Sequence, residues 1–326
     1  MKKWLAAAAA TAVAVPSYAQ SPAAGAAQGY PVKSVRYVVA FAAGDSPDIV
    51  ARLLGDRLSR LWSQQVIIEN RTGAGGTIAG TFVAKSPPDG YTLFHCNIAS
   101  NAIALGLYTK LPYQERDFAP ISRIGTTANA INVHPSLPVK TLKEFIAHAK
   151  AQPGKISYGR GGVGASPHLT MELFKSLAHI DVVHVAYKGA SPALTDLIGG
   201  QIPAMISNIP ALLPYVQAGK IRTLAVTSTK RVPQIPTVPT MIESGFPGFE
   251  VTSWYGLCGP AGTPAPILDK IHGDLLQVLR TPEVQQRFSE LVVEAAPQSR
   301  DEFAAYIRGE AARWAKVIKD AGIPRQ

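Results

Sequence analysis

The sequence has few cysteines and no apolar run long enough to cross a bilayer as a helix. Its 326 residues contain only Cys96 and Cys258, which excludes a disulfide-rich scaffold. Two cysteines so far apart do not identify a pair; the sequence favours two buried, unpaired side chains and leaves a bridge open. The apolar stretch at residues 4–15 has 12 residues, whereas a membrane-spanning helix takes about 20. The sequence therefore predicts a chain without a transmembrane helix.

Motifs of catalysis and metal binding are also missing. There is no G-x-S-x-G, H-E-x-x-H, C-x-x-C or calcium-loop pattern, and the seven histidines lack the spacing of metal ligands. The net charge is +10, but lysine and arginine are scattered along the chain and form no nucleic-acid motif. We predict no catalytic residue, no metal, no cofactor and no nucleic-acid partner. The positive charge can attract anionic solutes or partners.

The first residues have the pattern of a secretory signal. Two lysines precede the apolar stretch, and a small-x-small cleavage site ends at Ala19. We predict a signal peptide over 1–19, a flexible leader over 20–29 and a mature protein in the periplasm. About 300 residues then remain, which exceeds one comfortable hydrophobic core and predicts two lobes.

Strand-like and helix-like segments alternate along most of the mature chain. The apolar run 35–41 is typical of a buried parallel strand, and residues 48–63 carry apolar side chains on one helical face. Capping boxes at Thr141–Glu144 and Ser299–Glu302 predict the starts of two later helices. The alternation predicts an α/β fold with mostly parallel sheets. Ligands of such sheets bind beyond the carboxyl ends of the strands, beside helix N-termini.

Three glycine-rich turns, at 41–48, 70–77 and 159–168, are candidate ligand sites. In the first turn we expect Ser46 to be the helix N-cap and free backbone N–H groups to hold a carboxylate. The third turn contains G-x-G-x-x-G, the pattern of dinucleotide sites. Asp181 follows at the start of the next strand rather than at its end, where a ribose would be bound. The glycines therefore favour a small carboxylate over a dinucleotide.

These turns and their surroundings resemble the Bug family, the receptors of tripartite tricarboxylate transporters. The resemblance runs from about Tyr30 to Ile323 and rests on many short segments that occur in order. They include Glu69-Asn70-Arg71-x-Gly73-Ala74-Gly75-Gly76, Pro88-Asp89-Gly90-Tyr91-Thr92-Leu93, Pro192-Ala193-Leu194-Thr195-Asp196-Leu197 and Gly259-Pro260-Ala261-Gly262-Thr263-Pro264. Any one segment is weak evidence, but the ordered set is highly specific.

The resemblance implies a two-lobed Venus flytrap, the type II periplasmic-binding-protein fold, with two chain crossovers between lobes. Lobe I is expected over 30–128 and 250–326, and lobe II over 129–249. The implied function is that of a non-enzymatic, monomeric receptor for a small organic acid, which it delivers to the permease subunits of a tripartite tricarboxylate transporter. A sensory receptor that presents its ligand to a histidine kinase and, more remotely, a secreted nucleotide-dependent oxidoreductase are the alternatives.

The resemblance also implies which residues surround the solute. The expected ligand-binding residues are Phe41, Ala42, Gly44, Asp45, Gly76, Thr77, Asn97 and Ser100 in lobe I, and Gly164, Ala165, Ser166, His168, Tyr187 and Asn208 in lobe II. Asp45 stands where the family usually has a second glycine. Because a carboxylate beside a carboxylate is repulsive, we expect Asp45 either to point to solvent or to face a donor or positive charge on the ligand, such as an amino acid or an amide.

Overall fold

The computed structural model describes residues 29–162, 164–187 and 189–326. The predicted signal peptide, and the leader up to residue 28, lie outside the described residues. The strands are β1 (Val35–Val39), β2 (Val66–Asn70), β3 (Thr92–Asn97), β4 (Phe118–Val133), β5 (Ser157–Gly161), β6 (Val183–Tyr187), β7 (Ala204–Asn208), β8 (Arg222–Val226), β9 (Thr252–Pro260) and β10 (Glu294–Ala295).

The helices alternate with these strands. They are α1 (Ser46–Trp62), α2 (Thr77–Ala84), α3 (Ala104–Leu107), α4 (Leu142–Ala151), α5 (Ser166–Ala178), α6 (Ala190–Ile198), α7 (Ile209–Gln217), α8 (Ala265–Leu279), α9 (Pro282–Glu290) and α10 (Arg300–Asp320). Short 3-10 turns occur at Ala74–Gly76 and Glu115–Asp117, and a π-helical turn at Ala99–Ile103 leads into α3. None of the described helices combines the length and the apolar character that crossing a membrane requires.

The strands fall into two groups that share β4. In the first group, β2, β1 and β3 are parallel, and β9 and then β4 continue the sheet antiparallel. In the second group, β6, β5 and β7 are parallel, and β7 and β8 both pair antiparallel with the C-terminal part of β4. We call the two groups, with the helices packed on them, the first and the second lobe.

The predicted α/β class and two-lobed arrangement are confirmed, but the prediction of mostly parallel sheets is wrong. The two longest strands, β4 and β9, run antiparallel to their neighbours and to each other. The parallel pairings are confined to the β-α-β units outside them. Because β4 contributes to both lobes, it connects them as a continuous strand.

Burial on both faces explains why β1 is an apolar run. Every residue of β1 except Arg36 is buried. Val38 packs in the same core cluster as Ala79 of α2, whereas Val39 packs in the cluster that contains Leu54 of α1. Helices therefore cover the two faces of the strand, as expected of a parallel strand in an α/β protein.

A disulfide joins two neighbouring strands of the first lobe. Cys96 of β3 and Cys258 of β9 are bonded, with Cα atoms 5.8 Å apart and both side chains fully buried. The expectation of two unpaired cysteines is therefore wrong. The two strands pair in register, with Cys96 opposite Gly256, and this brings the cysteines together across a sequence separation of 162.

Candidate functional site

A cavity lies between the lobes, where strands of both end and helices begin. The first lobe contributes the loop after β1, the start of α1, the end of β3 and part of β9. The second lobe contributes the end of β5 and the starts of α5, α6 and α7. The lining residues are Phe41, Asp45, Ser46, Pro47, Asn97, Ile98, Ala99, Gly161, Ala165, Ser166, Pro167, Ala190, Ser207, Asn208, Ser253 and Tyr255.

Four helix N-termini face this cavity. Lining residues lie in the first turn of α1, α5 and α6 and at the N-cap of α7. None of these four helices is capped by the side chain of its own N-cap residue. A helix N-terminus carries a partial positive charge and unpaired N–H donors. The described lining residues include no lysine, arginine or histidine, so backbone dipoles make the cavity suitable for an anion.

The carboxylate of Asp45 reaches from the first lobe to the start of α6 in the second. Its Oδ2 accepts the Ala190 N–H at 3.0 Å, and its Oδ1 accepts the N–H and the hydroxyl of Ser191, both at 2.8 Å. Asp45 is only 2% exposed. Burial raises its pKa, and the hydrogen bonds from Ala190 and Ser191 oppose this rise.

This geometry corrects two expectations about the first turn. The backbone N-cap of α1 is Asp45, not Ser46, which is the first helical residue. The side chain of Asp45 does not point to solvent, and the groups that donate hydrogen bonds to it belong to the second lobe. The neighbouring Ser46 makes a similar connection, since its Oγ accepts the Ala211 N–H at 3.2 Å in the first turn of α7.

A hydroxyl and amide network forms another wall of the cavity. Oγ of Ser253 accepts from the side-chain amide of Asn208 at 2.7 Å and is hydrogen-bonded to the Ser166 hydroxyl. The same Asn208 amide also donates to Asn129 of β4 at 2.6 Å. The network connects β9 to the start of α5 and the end of β7.

Tyr255 lies two residues beyond Ser253 on the same face of β9. Its side chain is 1% exposed, and its hydroxyl makes no hydrogen bond of good geometry with the described residues. The Ser46 hydroxyl lies near it, and burial raises the pKa of the phenol. Because a buried hydroxyl without a partner is costly, Tyr255 offers a polar contact to a solute or a water in the cavity.

A family model assigns the chain. The model described as "Tripartite tricarboxylate transporter family receptor" matches residues 50–323. The chain belongs to this receptor family. It is therefore a member of a solute-receptor class, as the resemblance predicted.

Solved structures of related proteins agree with this assignment. The periplasmic binding protein BugD is 35% identical, with a TM-score of 0.88 over 91% of this chain and 100% of that one. An R. palustris protein with adipate is 36% identical, with a TM-score of 0.88 over 90% and 99% of the two chains. MatC from Rhodopseudomonas palustris with bound malate is 31% identical, with a TM-score of 0.85 over 89% and 100%.

Six of the predicted ligand-binding residues of this receptor line the cavity: Phe41, Asp45, Asn97, Ala165, Ser166 and Asn208. Asn97 is held in place by its own loop, because its Oδ1 accepts the N–H groups of Ala99 and Ser100 at 2.9 and 3.2 Å. This arrangement turns the end of β3 toward the cavity.

Two predicted residues of the second lobe position the loop around the cavity rather than lining it. Nδ1 of His168 accepts the Gly164 N–H at 3.1 Å, so this N–H is not free for a solute. Burial, with a smaller contribution from Arg160, lowers the pKa of His168 to about 3. The imidazole is therefore neutral at ordinary pH and braces the turn that leads into α5.

In the first lobe, predicted residues outside the lining shape the wall behind it. The Gly44 N–H donates to Asp48 Oδ2 at 2.9 Å, and Ala42 lies against Gly189 of the second lobe. Gly76 packs closely on Ala40 and Ser100.

The remaining predicted residues make contacts of their own outside the cavity lining. Thr77 is the buried first residue of α2, and the Ser100 hydroxyl donates to Asn101 at 2.6 Å. The Tyr187 hydroxyl donates to Asp196 at 2.6 Å, toward α6.

The sequence analysis missed the contribution of β9. Ser253 and Tyr255 line the cavity, while Trp254 between them is buried on the opposite face among Phe303 and Tyr306. The available sequence signal was the spacing of Ser253 and Tyr255, since residues two apart on a strand point to the same face. In the described residues, no group of histidine, cysteine, aspartate and glutamate side chains could hold a metal ion.

Proposed function

We propose that the protein is a periplasmic receptor that binds a small carboxylate in the interlobe cavity without catalysing a reaction. The observation that carries this proposal is the convergence of four helix N-termini on one cavity whose described lining residues include no cationic side chain. The first N–H groups of α6 already donate to Asp45, so the other helix starts are the ones open to a solute. Unpaired N–H groups and hydroxyls stabilise a carboxylate by charge-assisted hydrogen bonds, each worth roughly 1.5–3 kcal/mol. Related structures with adipate and with malate support the same ligand chemistry.

The apolar part of the lining suits the body of an organic acid. Phe41, Ile98 and Tyr255 lie beside the prolines of α1 and α5. An apolar wall with a few convergent polar groups is typical of a small-molecule site. We therefore place the carboxylate at the helix N-termini and the carbon skeleton against these side chains.

We further propose that lobe I comprises 30–128 and 250–326 and that lobe II comprises 129–249. The pairing of β4 supports this division. Ala128 is the last residue of β4 opposite β9, and Asn129 is the first opposite β7. A solute that contacts both lobes favours the closed arrangement over an open one. The membrane subunits of a tripartite tricarboxylate transporter would then recognise the closed receptor and accept the solute from it.

A thermal-shift screen followed by calorimetry tests the binding function. The mature protein is titrated with mono-, di- and tricarboxylates, aromatic acids, amino acids and NAD. We expect a carboxylate to raise the melting temperature and to bind with a micromolar Kd. Stabilisation by NAD, with none by any carboxylate, would overturn the proposal and make the G-x-G-x-x-G turn a nucleotide site.

Delivery to a transporter requires a separate experiment. Membrane subunits encoded near the receptor gene are reconstituted in liposomes, and uptake of the labelled carboxylate is measured with and without the receptor. We expect uptake to depend on the receptor. Equal uptake in its absence would remove the delivery step from the proposal while leaving the binding function in place.

A further inference from the structure

The start of α6 lacks an acceptor of its own. Its N-cap residue is Gly189, which has no side chain, so the N–H groups of Ala190 and Ser191 need an acceptor from elsewhere. Asp45 of the first lobe supplies it with both carboxylate oxygens. The structure thus contains a carboxylate bound at a helix N-terminus on the cavity wall, and that carboxylate is part of the protein.

The contact between the lobes is close enough to depend on glycine at position 189. A Cβ atom there would lie 2.6 Å from Ala42 Cβ and 2.8 Å from Asp45 Oδ2. The absent side chain therefore leaves the space in which the Asp45 carboxylate reaches α6. Ser191 adds its hydroxyl to the two backbone donors, so three protein donors are directed at one carboxylate.

Asp45 is also the only acidic residue among the described residues that line the cavity. Both of its oxygens already accept hydrogen bonds from the protein, and the residue is nearly fully buried. It therefore contributes negative charge to one side of the cavity while offering little accepting capacity to a ligand donor. A second carboxylate on the solute would find the α6 donors occupied and would face a like charge.

We infer that Asp45 restricts the receptor to solutes with a single carboxylate and no second negative charge. This inference rests on the proposed function and names the solute class of the same site. The solute carboxylate uses the starts of α1 and α5, while Asp45 takes the place of a second solute carboxylate at α6. Since the Asp45 carboxylate already connects the first lobe to α6, the solute does not need a second carboxylate for this contact.

Matched acids test this inference in calorimetric titrations of the mature protein. The probes are hexanoate and adipate, which have the same number of carbons, and benzoate and terephthalate, which share a ring. In each pair that binds, we expect the monocarboxylate to have a Kd at least about tenfold lower, because like charges a few ångströms apart repel. A dicarboxylate that binds as tightly as its partner, or more tightly, would overturn the inference.

Variants locate the effect. Asp45→Ala frees the α6 donors and removes the charge, so we expect the preference for the monocarboxylate to shrink at least tenfold or to reverse. Asp45→Asn removes the charge but keeps an acceptor for α6 and serves if the alanine variant does not fold; its preference should be intermediate. Asp56→Ala, an exposed acidic residue on the same helix, is the control that should leave the preference unchanged.

The outcomes separate this inference from the function on which it rests. An Asp45→Ala or Asp45→Asn protein that keeps the wild-type preference would show that Asp45 does not select the solute, although carboxylate binding would stand. Failure of all four acids, and of every other carboxylate in the wider screen, to bind wild-type protein would overturn the proposed function and this inference with it.

Discussion

The side-chain amide of Asn208 donates to Oγ of Ser253 at 2.7 Å. This bond connects the end of β7 in the second lobe with β9 in the first, at the wall of the cavity. Ser253 is also hydrogen-bonded to Ser166 at the start of α5. At this wall of the cavity, one hydroxyl of the first lobe therefore contacts two elements of the second lobe.

Replacing Ser253 with alanine should weaken solute binding without unfolding the protein. The change leaves the Ser166 hydroxyl without this partner, while Asn208 keeps its bond to Asn129. A neutral hydrogen bond is worth about 0.5–1.5 kcal/mol, so we expect Kd for a bound carboxylate to rise about two- to tenfold by calorimetry. Ser228→Ala, whose hydroxyl bonds only locally to Lys230, is the control. Unchanged affinity in the Ser253 variant would exclude this role.

A methyl group at position 189 should oppose closure of the lobes. In Gly189→Ala the added Cβ would clash with Ala42 and with the Asp45 carboxylate, so the lobes must separate. We expect a larger radius of gyration in small-angle X-ray scattering with ligand present, and at least about tenfold weaker binding. Gly273→Ala on α8, where an added Cβ meets nothing within 4 Å, should close normally. A Gly189 variant that closes as wild type does would contradict the interlobe contact.

The neutral, buried His168 should make the protein less stable in mild acid. Its pKa is about 3 in the folded protein and about 6.5 when unfolded. Between these values the unfolded chain takes up a proton that the folded protein does not, so stability falls as pH falls. From pH 7 to pH 5 this one group should cost about 2 kcal/mol of unfolding free energy.

Urea denaturation at the two pH values measures the effect of His168. His168→Asn retains a hydrogen-bond acceptor for the Gly164 N–H but has no titrating ring, so its loss of stability should be smaller than that of wild type. His148→Asn, on α4, is the control and should lose as much as wild type. An equal loss in the His168 variant would show that this histidine does not drive the pH dependence.

Reduction of the Cys96–Cys258 bond should destabilise the first lobe. The disulfide closes a large loop between two buried strands, and removal of such a bond typically costs about 2–5 kcal/mol. We expect reductant to lower the urea midpoint of wild-type protein but not that of the Cys96→Ala/Cys258→Ala double variant. Thiol titration of the denatured, unreduced protein should find no free thiol; two free thiols would contradict the bridge.

Local sequence patterns predicted the elements of the β-α-β units well. The capping box at Ser299–Glu302 forms with both hydrogen bonds, and the side chain of Thr141 accepts the Glu144 N–H at 3.1 Å. These contacts lie within one helical turn, so the residues that make them are adjacent in the sequence. The start of α1 was placed within two residues, although its N-cap was assigned to the wrong side chain.

The strands β4 and β9 could not be predicted in the same way, because they do not alternate polar and apolar residues. Their small residues allow other elements to approach. A Cβ on Gly125 of β4 would lie 2.6 Å from the Glu294 carbonyl oxygen, and one on Gly256 of β9 would clash with the Phe303 ring. Such glycines weaken a strand pattern when it is read locally. These glycines are needed because β10 and α10 pack against them in the folded protein.

The partner of Asp45 could not be predicted from the neighbouring sequence either. The donors at Ala190 and Ser191 are 145 and 146 positions away in the sequence, and they meet Asp45 only through the approach of two lobes. The expected partner was a solute or water, whereas the structure provides a helix of the same chain.

Because helix N-termini hold the solute in the cavity, its association rate and its dissociation rate depend on different charges of the protein. The chain has a net charge of +10, which attracts an anionic solute from a distance. Salt screens this attraction beyond the Debye length, which is about 8–10 Å at ordinary ionic strength. Added salt therefore slows the association of an anionic acid with the receptor. The buried dipoles act at contact distance, where mobile ions do not enter, so the dissociation rate stays nearly constant.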